Sequence, residues 1–245
     1  MNKCKTAVVI PSRMASTRFP GKPLALLGGK PMVQWVYEKS RASRADAVIV
    51  ATDDERIKKA VEDFGGMAVM TSPDHPSGTD RICEAVRGSD YELIINVQGD
   101  EPLIPTSVID ELIDVMQQQS ELEMGTVAVP TPRKVMDGDF NKVKVVFGED
   151  HQALYFSRST VPYLREGGCD APVYLHWGIY AYRRRTLERF VALPEGRLEK
   201  CEKLEQLRAL ENGIGIHVLI SHLESIGIDT PEDLARAEAR IKEMH

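Results

Sequence analysis

The sequence predicts an α/β fold with a mostly parallel sheet and helices on both faces, and three observations carry that prediction. Short runs rich in β-branched residues, such as "TAVVI" (6–10), alternate with stretches of helical period through the first half of the chain. The runs are continuously apolar, as expected of parallel strands buried on both faces. Strand follows helix in strict succession, the order that winds a parallel sheet.

Taken in order, "TAVVI" reads as a strand and "PMVQWVYEKSRA" (31–42) as a helix with Pro31 at its first position. "DAVIVAT" (46–52) is a strand, and "DERIKKAVEDFGG" (54–66) a helix that stops at a glycine pair. "MAVMTS", "GTDRICEAVRG", "ELIINV" and "TSVIDELIDVMQQQ" continue the alternation to residue 119. After about residue 125 the pattern changes. "KVKVVF" and "QALYFSR" flank "GEDH" as a β-hairpin, and "VYLHWGIYAY" is an aromatic-rich strand. "LEKCEKLEQLRALENG" (198–213) reads as one helix stopped by Asn212 and Gly213, and "IGIHVLIS" as a strand. The terminal helix "TPEDLARAEARIKEM" carries Thr230 as N-cap, Pro231 in the first turn and Asp233 in the capping-box region. With no repeat, linker or low-complexity segment, a single domain over 1–245 is expected.

Composition excludes several classes of function. A hydrophobic content of 42% and a charged content of 28% suit a soluble globular protein. A net charge of −6 argues against coating nucleic acid or a membrane surface, while leaving room for one basic pocket that takes a small anion. Cys4, Cys83, Cys169 and Cys201 show no CxxC and no close pair, which suits reduced thiols better than zinc or disulfides. "KTAVVIP" is too short for a signal-peptide core, and no apolar run approaches the roughly 18 residues of a membrane span. A cytoplasmic location is therefore expected.

Three stretches are candidates for chemistry. "PSRMASTRFPGKP" (11–23) is a cationic loop directly after the first strand, the place where open α/β sheets bind ligands. Arg13, Arg18 and Lys22 suit a polyphosphate, and a plain solvated loop is an equally good reading. Neither GxGxxG nor GxxxxGK[ST] is present, so a dinucleotide fingerprint and a Walker loop are disfavoured. Asp53 and Asp54 lie too far along for a ribose-binding acid and read as a helix cap. "LIINVQGDEP" (93–102) runs a buried strand into Gln98, Asp100 and Glu101, hard oxygen donors of the kind Mg²⁺ prefers, or simply an Asp turn. "GIDTPEDL" (227–234) places Asp229 just before a helix, where a second metal carboxylate and an ordinary turn both fit.

The remaining candidates are weaker. In "SGTDR" (77–81), Ser77 and Thr79 offer hydroxyls to a base or ribose, and capping explains them as well. Arg158 and His176 sit on strands, where an ion pair and a structural histidine are the bland readings. Glu205 and Gln206 lie on an amphipathic helix and read as its solvated face.

Read together and in this order, "IPSRMASTRFPGKPL", "VATDDERI", "SGTDR", "NVQGDEP", "ALYFSRS", "HWGIYAY", "LEQLRALE" and "IDTPEDL" resemble the 3-deoxy-manno-octulosonate (KDO) cytidylyltransferases over nearly the whole chain. The resemblance implies a Rossmann-like nucleotidyltransferase fold. It also implies a β-rich region around 130–185, including a hairpin, for homodimer contact and sugar binding. The implied reaction joins CTP to an acidic eight-carbon sugar, giving the CMP-sugar for lipopolysaccharide synthesis and pyrophosphate, with Mg²⁺ as cofactor. Arg13 and Lys22 match the triphosphate-loop cations, with Arg18 beside them. Asp100 and Asp229 match the metal carboxylates. Ser77 falls in the cytidine segment, and Gln98, Arg158, His176, Glu205 and Gln206 match the sugar side. Two departures stand out: "PSR" where "PAR" is commoner, and Leu175 and Trp177 around His176, where relatives often carry a basic and an aliphatic residue. KDO, its 8-amino analogue and other acidic sugars such as a sialic acid stay open as substrates, as does a nucleotide-binding regulator without catalysis.

Overall fold

The β-branched run at the start of the chain forms β1 (Thr6–Ser12), whose Ala7, Val8, Val9 and Ile10 are fully buried. Burying each Val or Ile side chain stabilises the fold by about 1.5–3 kcal/mol, so this strand is a natural centre for a sheet. The computed structural model describes residues 4–15, 19–166, 168, 172–223, 225 and 227–243. The chain divides into two units, Met1–Gln117 with Glu224–His245, and Gln118–Leu223.

In the first unit, β2 (Leu26–Leu27) and β3 (Lys30–Pro31) form a small hairpin whose Gly28 and Gly29 have φ of 56° and 84°. There follow α1 (Met32–Arg41), β4 (Ala47–Thr52), α2 (Glu55–Asp63), β5 (Ala68–Met70), α3 (Gly78–Ala85), β6 (Leu93–Asn96) and α4 (Thr106–Gln118). The long strands are all parallel, in the order β6–β1–β4–β5. Their register sets Ser12 opposite Thr52, and Val9 opposite Asn96. The loops that leave β1, β4 and β6 consequently emerge at one edge of the sheet.

Helix starts follow local chemistry. Asp54 caps α2 by accepting from the Arg56 N–H, and Ser77 caps α3 by accepting from the N–H groups of Thr79 and Asp80. Asp53 does not share the cap; it pairs with Arg81.

The second unit contains β7 (Met124–Thr131), α5 (Arg133–Met136), β8 (Lys144–Phe147), β9 (Ala153–Ser157), β10 (Val173–Arg183), α6 (Arg184–Val191), α7 (Arg197–Glu202), α8 (Gln206–Glu211) and β11 (Ile216–Ile220). β11 is parallel to β7, whereas β10 runs antiparallel to both β7 and β8. β8 and β9 pair antiparallel as the expected hairpin. The chain then returns to the first unit with α9 (Pro231–Glu243). There the Asp233 N–H donates to Thr230 Oγ1, and the Thr230 N–H donates to the Asp233 carboxylate, the expected capping box. Ala237 and Ile241 of α9 pack in a small core with Leu27, Met32 and Ile228. Among the described residues no helix is long and apolar enough to cross a membrane.

One element departs from the sequence reading. The stretch 198–213 is not one helix: Lys203 takes a left-handed conformation, φ 53°, and ends α7 before α8 begins. Arg158 accounts for the break. Its guanidinium donates to the backbone carbonyls of Glu202 (2.6 Å) and Lys203 (3.2 Å), drawing off acceptors that a continuous helix would use internally. The Glu199–Arg208 pair, buried and joined by bonds of 2.6 and 2.8 Å, ties α7 to α8 across the break.

Candidate active site

The site begins with the loop after β1. The Gly21 N–H donates to Met14 O, which closes the loop, and Gly21 takes φ 75°, a conformation that glycine adopts without strain. Lys22 therefore starts a single helical turn, Lys22–Leu24, with its side chain directed inward and 14% exposed. Its ammonium donates to Asp100 (2.9 Å), to the Ile228 carbonyl (3.1 Å) and to Asp229 (3.3 Å). All three N–H bonds of the lysine are used. The Ile228 N–H in turn donates to the Asp100 carbonyl at 2.9 Å. Two carboxylates that lie 129 positions apart in the chain are thus set side by side around one cation.

A cavity of about 300 Å³ opens here. Arg13, Lys22, Ser77, Gln98, Asp100 and Asp229 all line it, so the first unit brings together six of the candidate residues. Arg13 is exposed, and the Asp100 and Asp229 side chains keep 33% and 44% of their surface. Gln98 donates to Asn96, the last residue of β6. Ser77 does two jobs, capping α3 while facing the cavity. Arg18 lies outside the described residues.

Several lining residues were not singled out from the sequence. Arg81 follows Ser77 by one helical turn, so it shares that face of α3; the spacing was the signal that identifies it. It is 4% exposed and held by Asp53 (2.8 Å) and Thr71 (2.6 Å). His75, also on the wall, pairs with Glu84, whose carboxyl is held below its ordinary range first by the Ser72 N–H and then by this histidine. Behind the aspartate pair, Glu101 accepts from Ser225 (2.5 Å). Burial, with the neighbouring charges of Asp100 and Asp229, pushes the Glu101 carboxyl up to about 7.

The other candidates belong to the second unit, and there they have internal partners. Arg158 donates to three backbone carbonyls, those of Phe140, Glu202 and Lys203. His176 shares a hydrogen bond with Thr126 (3.0 Å), and its ring packs against Phe156 and Tyr180. That enclosure pushes the imidazole down to about 3. Gln206 is 5% exposed, not part of a solvated face, and Glu205 stands at the N-cap of α8 with its carboxylate 3.7 Å from Arg208.

The aspartate pair can be tested as a Mg²⁺ site. Among the described residues no group of three or more His, Cys, Asp or Glu side chains is gathered as a metal cage. Mg²⁺ does not need one: it uses one or two carboxylates and completes its shell with water and substrate phosphate. Two part-exposed carboxylates that already share a cation fit that requirement.

Residues 7–226 match the family model described as Cytidylyltransferase. The chain belongs to the cytidylyltransferase family. This cytidylyltransferase is 52% identical to a protein of Shewanella sp. (strain ANA-3) over 239 residues, 96% of the chain and 97% of the relative. That relative is named 8-amino-3,8-dideoxy-manno-octulosonate cytidylyltransferase, as is one from Shewanella frigidimarina at 51% over 242 residues, with 97% and 98% covered. Among solved structures, a CMP:2-keto-3-deoxy-manno-octonic acid synthetase complexed with CTP superposes with a TM-score of 0.94 at 40% identity, covering 98% of this chain and all of that one. A cytidylyltransferase from Leptospira borgpetersenii, 19% identical and covering 98% and 87%, shares the fold with a TM-score of 0.66. The α/β nucleotidyltransferase fold and the transferase class expected from the sequence therefore hold.

Proposed function

We propose that this cytidylyltransferase transfers CMP from CTP to the anomeric hydroxyl of an eight-carbon octulosonate and releases pyrophosphate. The observation that carries the reading is Lys22 bridging Asp100 and Asp229 in a cavity that also presents Arg13. Arg13 offers a guanidinium fork to phosphate oxygens, and Lys22 holds the two aspartates together while adding positive charge beside them. Asp100 and Asp229 would hold Mg²⁺. When bound, that ion supplies Lewis-acid polarisation of the reacting phosphate and neutralises the departing pyrophosphate. Ser77, fixed at the start of α3, is assigned to the nucleoside, and Gln98 to the nucleotide and the sugar. Positioning and charge stabilisation supply the catalysis, with no covalent enzyme intermediate.

For the sugar, the 8-amino-3,8-dideoxy compound is placed ahead of KDO. The relatives that support it are 51–52% identical, against 40% for the synthetase of the unaminated sugar. Arg158, His176, Glu205 and Gln206 are assigned to the sugar side by resemblance. Within the second unit Arg158 donates to the carbonyls of Phe140 and Glu202, and His176 shares a hydrogen bond with Thr126.

A cytoplasmic homodimer serving lipopolysaccharide synthesis completes the reading. Location and pathway rest on the family resemblance, and the dimer is supported by exposed apolar residues of the second unit: Leu154 and Phe140 at 67%, with Val135 and Leu164 near them in the sequence.

The deciding assay is pyrophosphate release from CTP and Mg²⁺ with KDO, its 8-amino analogue and a sialic acid in parallel. The 8-amino sugar is expected to give the highest kcat/KM. Preference for KDO would reverse the order of the two sugars, and no turnover with any of them would leave a nucleotide-binding protein without this activity.

A further inference from the structure

The chain returns to the first unit at residue 224, and Asp229 then comes to rest beside Asp100 around Lys22. The backbone holds that place from two sides. The Ile228 N–H donates to the Asp100 carbonyl at 2.9 Å, and the Asp229 N–H donates to the Asp233 carboxylate at 3.0 Å. A side-chain tie comes earlier in the return, where Ser225 Oγ donates to Glu101 at 2.5 Å. Gly227 follows, and a Cβ placed on it would sit 3.2 Å from Glu101 Oε1. The returning segment thus passes close over the Glu101 carboxyl group.

Asp100 and Asp229 line the cavity, whereas Glu101 and Ser225 do not. Two consecutive side chains therefore serve opposite sides of one turn. Asp100 faces the substrate space, and Glu101 faces the segment that carries the second aspartate. A third carboxyl group beside Asp100 and Asp229 adds repulsion there, so filling space is a poor account of it. A tie that holds a metal ligand in place is a better one, since outer groups of this kind orient the ligands they support.

We propose that Glu101 and Ser225 form a clasp that positions Asp229 beside Asp100 for metal-bound CTP. Both are positioning residues, acting through Asp229 and not on the substrate. This rests on the cytidylyl-transfer reading above, in which the two aspartates hold the metal.

The test is calorimetric titration of CTP into the protein in Mn²⁺ and again in EDTA, with no sugar present. The ratio of the two affinities measures what the metal adds. In Glu101→Ala and Ser225→Ala that ratio should shrink by about 10-fold, while CTP in EDTA binds no more weakly than to wild type. Glu101→Gln can still accept from Ser225 through its amide oxygen, and its ratio should stay near the wild-type value. In an Asp229→Asn background, Glu101→Ala should change nothing further, because a group that acts through Asp229 has nothing left to position. A wild-type ratio in either alanine variant would overturn the clasp. So would a loss in Glu101→Gln equal to that in Glu101→Ala, which would mark the charge and not the tie. An added loss in the Asp229→Asn background, or weakened CTP binding in EDTA, would show a general structural role and overturn it too. Wild-type protein that binds CTP but gains nothing from Mn²⁺ would end the metal role of the aspartates, and the clasp's with it. No CTP binding in either condition would overturn the cytidylyl reading itself.

Discussion

The candidate charged residues of the two units differ in what they leave open. In the first, Lys22, Asp100 and Asp229 meet at the mouths of parallel strands, and the carboxylates keep a third or more of their surface. In the second, Arg158, Glu199, Arg208 and His176 are consumed internally, by backbone carbonyls, by one another and by Thr126. Both patterns satisfy the rule that buried polar groups find partners. The difference lies in what remains for a ligand: the first unit leaves carboxylate oxygens facing a cavity, while the second spends its polar atoms on holding strands and helices together.

That contrast predicts losses of activity in one unit and losses of stability in the other. The largest effect is expected from Asp100→Asn, which keeps the shape but removes one charge from the pair. Turnover should fall on the order of 100- to 1,000-fold, the scale on which removing one charge-stabilising group acts, with an unchanged melting curve. Normal turnover by this variant would end the assignment of Asp100. Arg208→Ala should do the reverse, leaving Glu199 buried and unpaired. A cost of about 3–5 kcal/mol is expected in urea unfolding.

A smaller effect follows from His176. Its imidazole is held near 3 in the folded state but titrates near 6.5 when exposed, so between those values the unfolded chain binds the extra proton. The stability it contributes is complete above about pH 6.5 and is lost as the pH falls toward 3. The slope contributed is at most about 1.4 kcal/mol per pH unit. His176→Gln should flatten the acid limb of stability against pH, and an unaltered limb would argue against the enclosure described. The smallest effect belongs to Thr230→Ala, which removes one cap of α9 for about 1 kcal/mol, visible as a lowered melting temperature.

How much of this was legible beforehand depended on the range of the interaction. β1, β4, β6, the β8–β9 hairpin and the Thr230–Asp233 cap are written in short windows, and the sequence reading found each of them. The break at Lys203 was not readable, because the cause is Arg158, a residue 45 positions earlier that captures carbonyls of the helix. Helical period alone gives no sign of that competition. At the site, cations after one strand and acids after another were visible as separate signals, but their meeting depends on a return of the chain that spacing does not encode. Arg81 and His75 carry no distinct signal in the sequence, because an arginine on a helix and a histidine in the loop before it are ordinary until the cavity is seen.

The bridge through Lys22 also has a bearing on synthesis. Its partner Asp229 lies 207 positions downstream, beyond the whole second unit. On the ribosome the parallel strands can pair and the cationic loop can close long before that carboxylate exists. During synthesis each molecule therefore passes through a stage that holds Lys22 and Asp100 but only half of the acidic pair. A chain cut anywhere between Asp100 and Asp229 would carry Arg13 and Asp100 but lack the second carboxylate that meets Lys22.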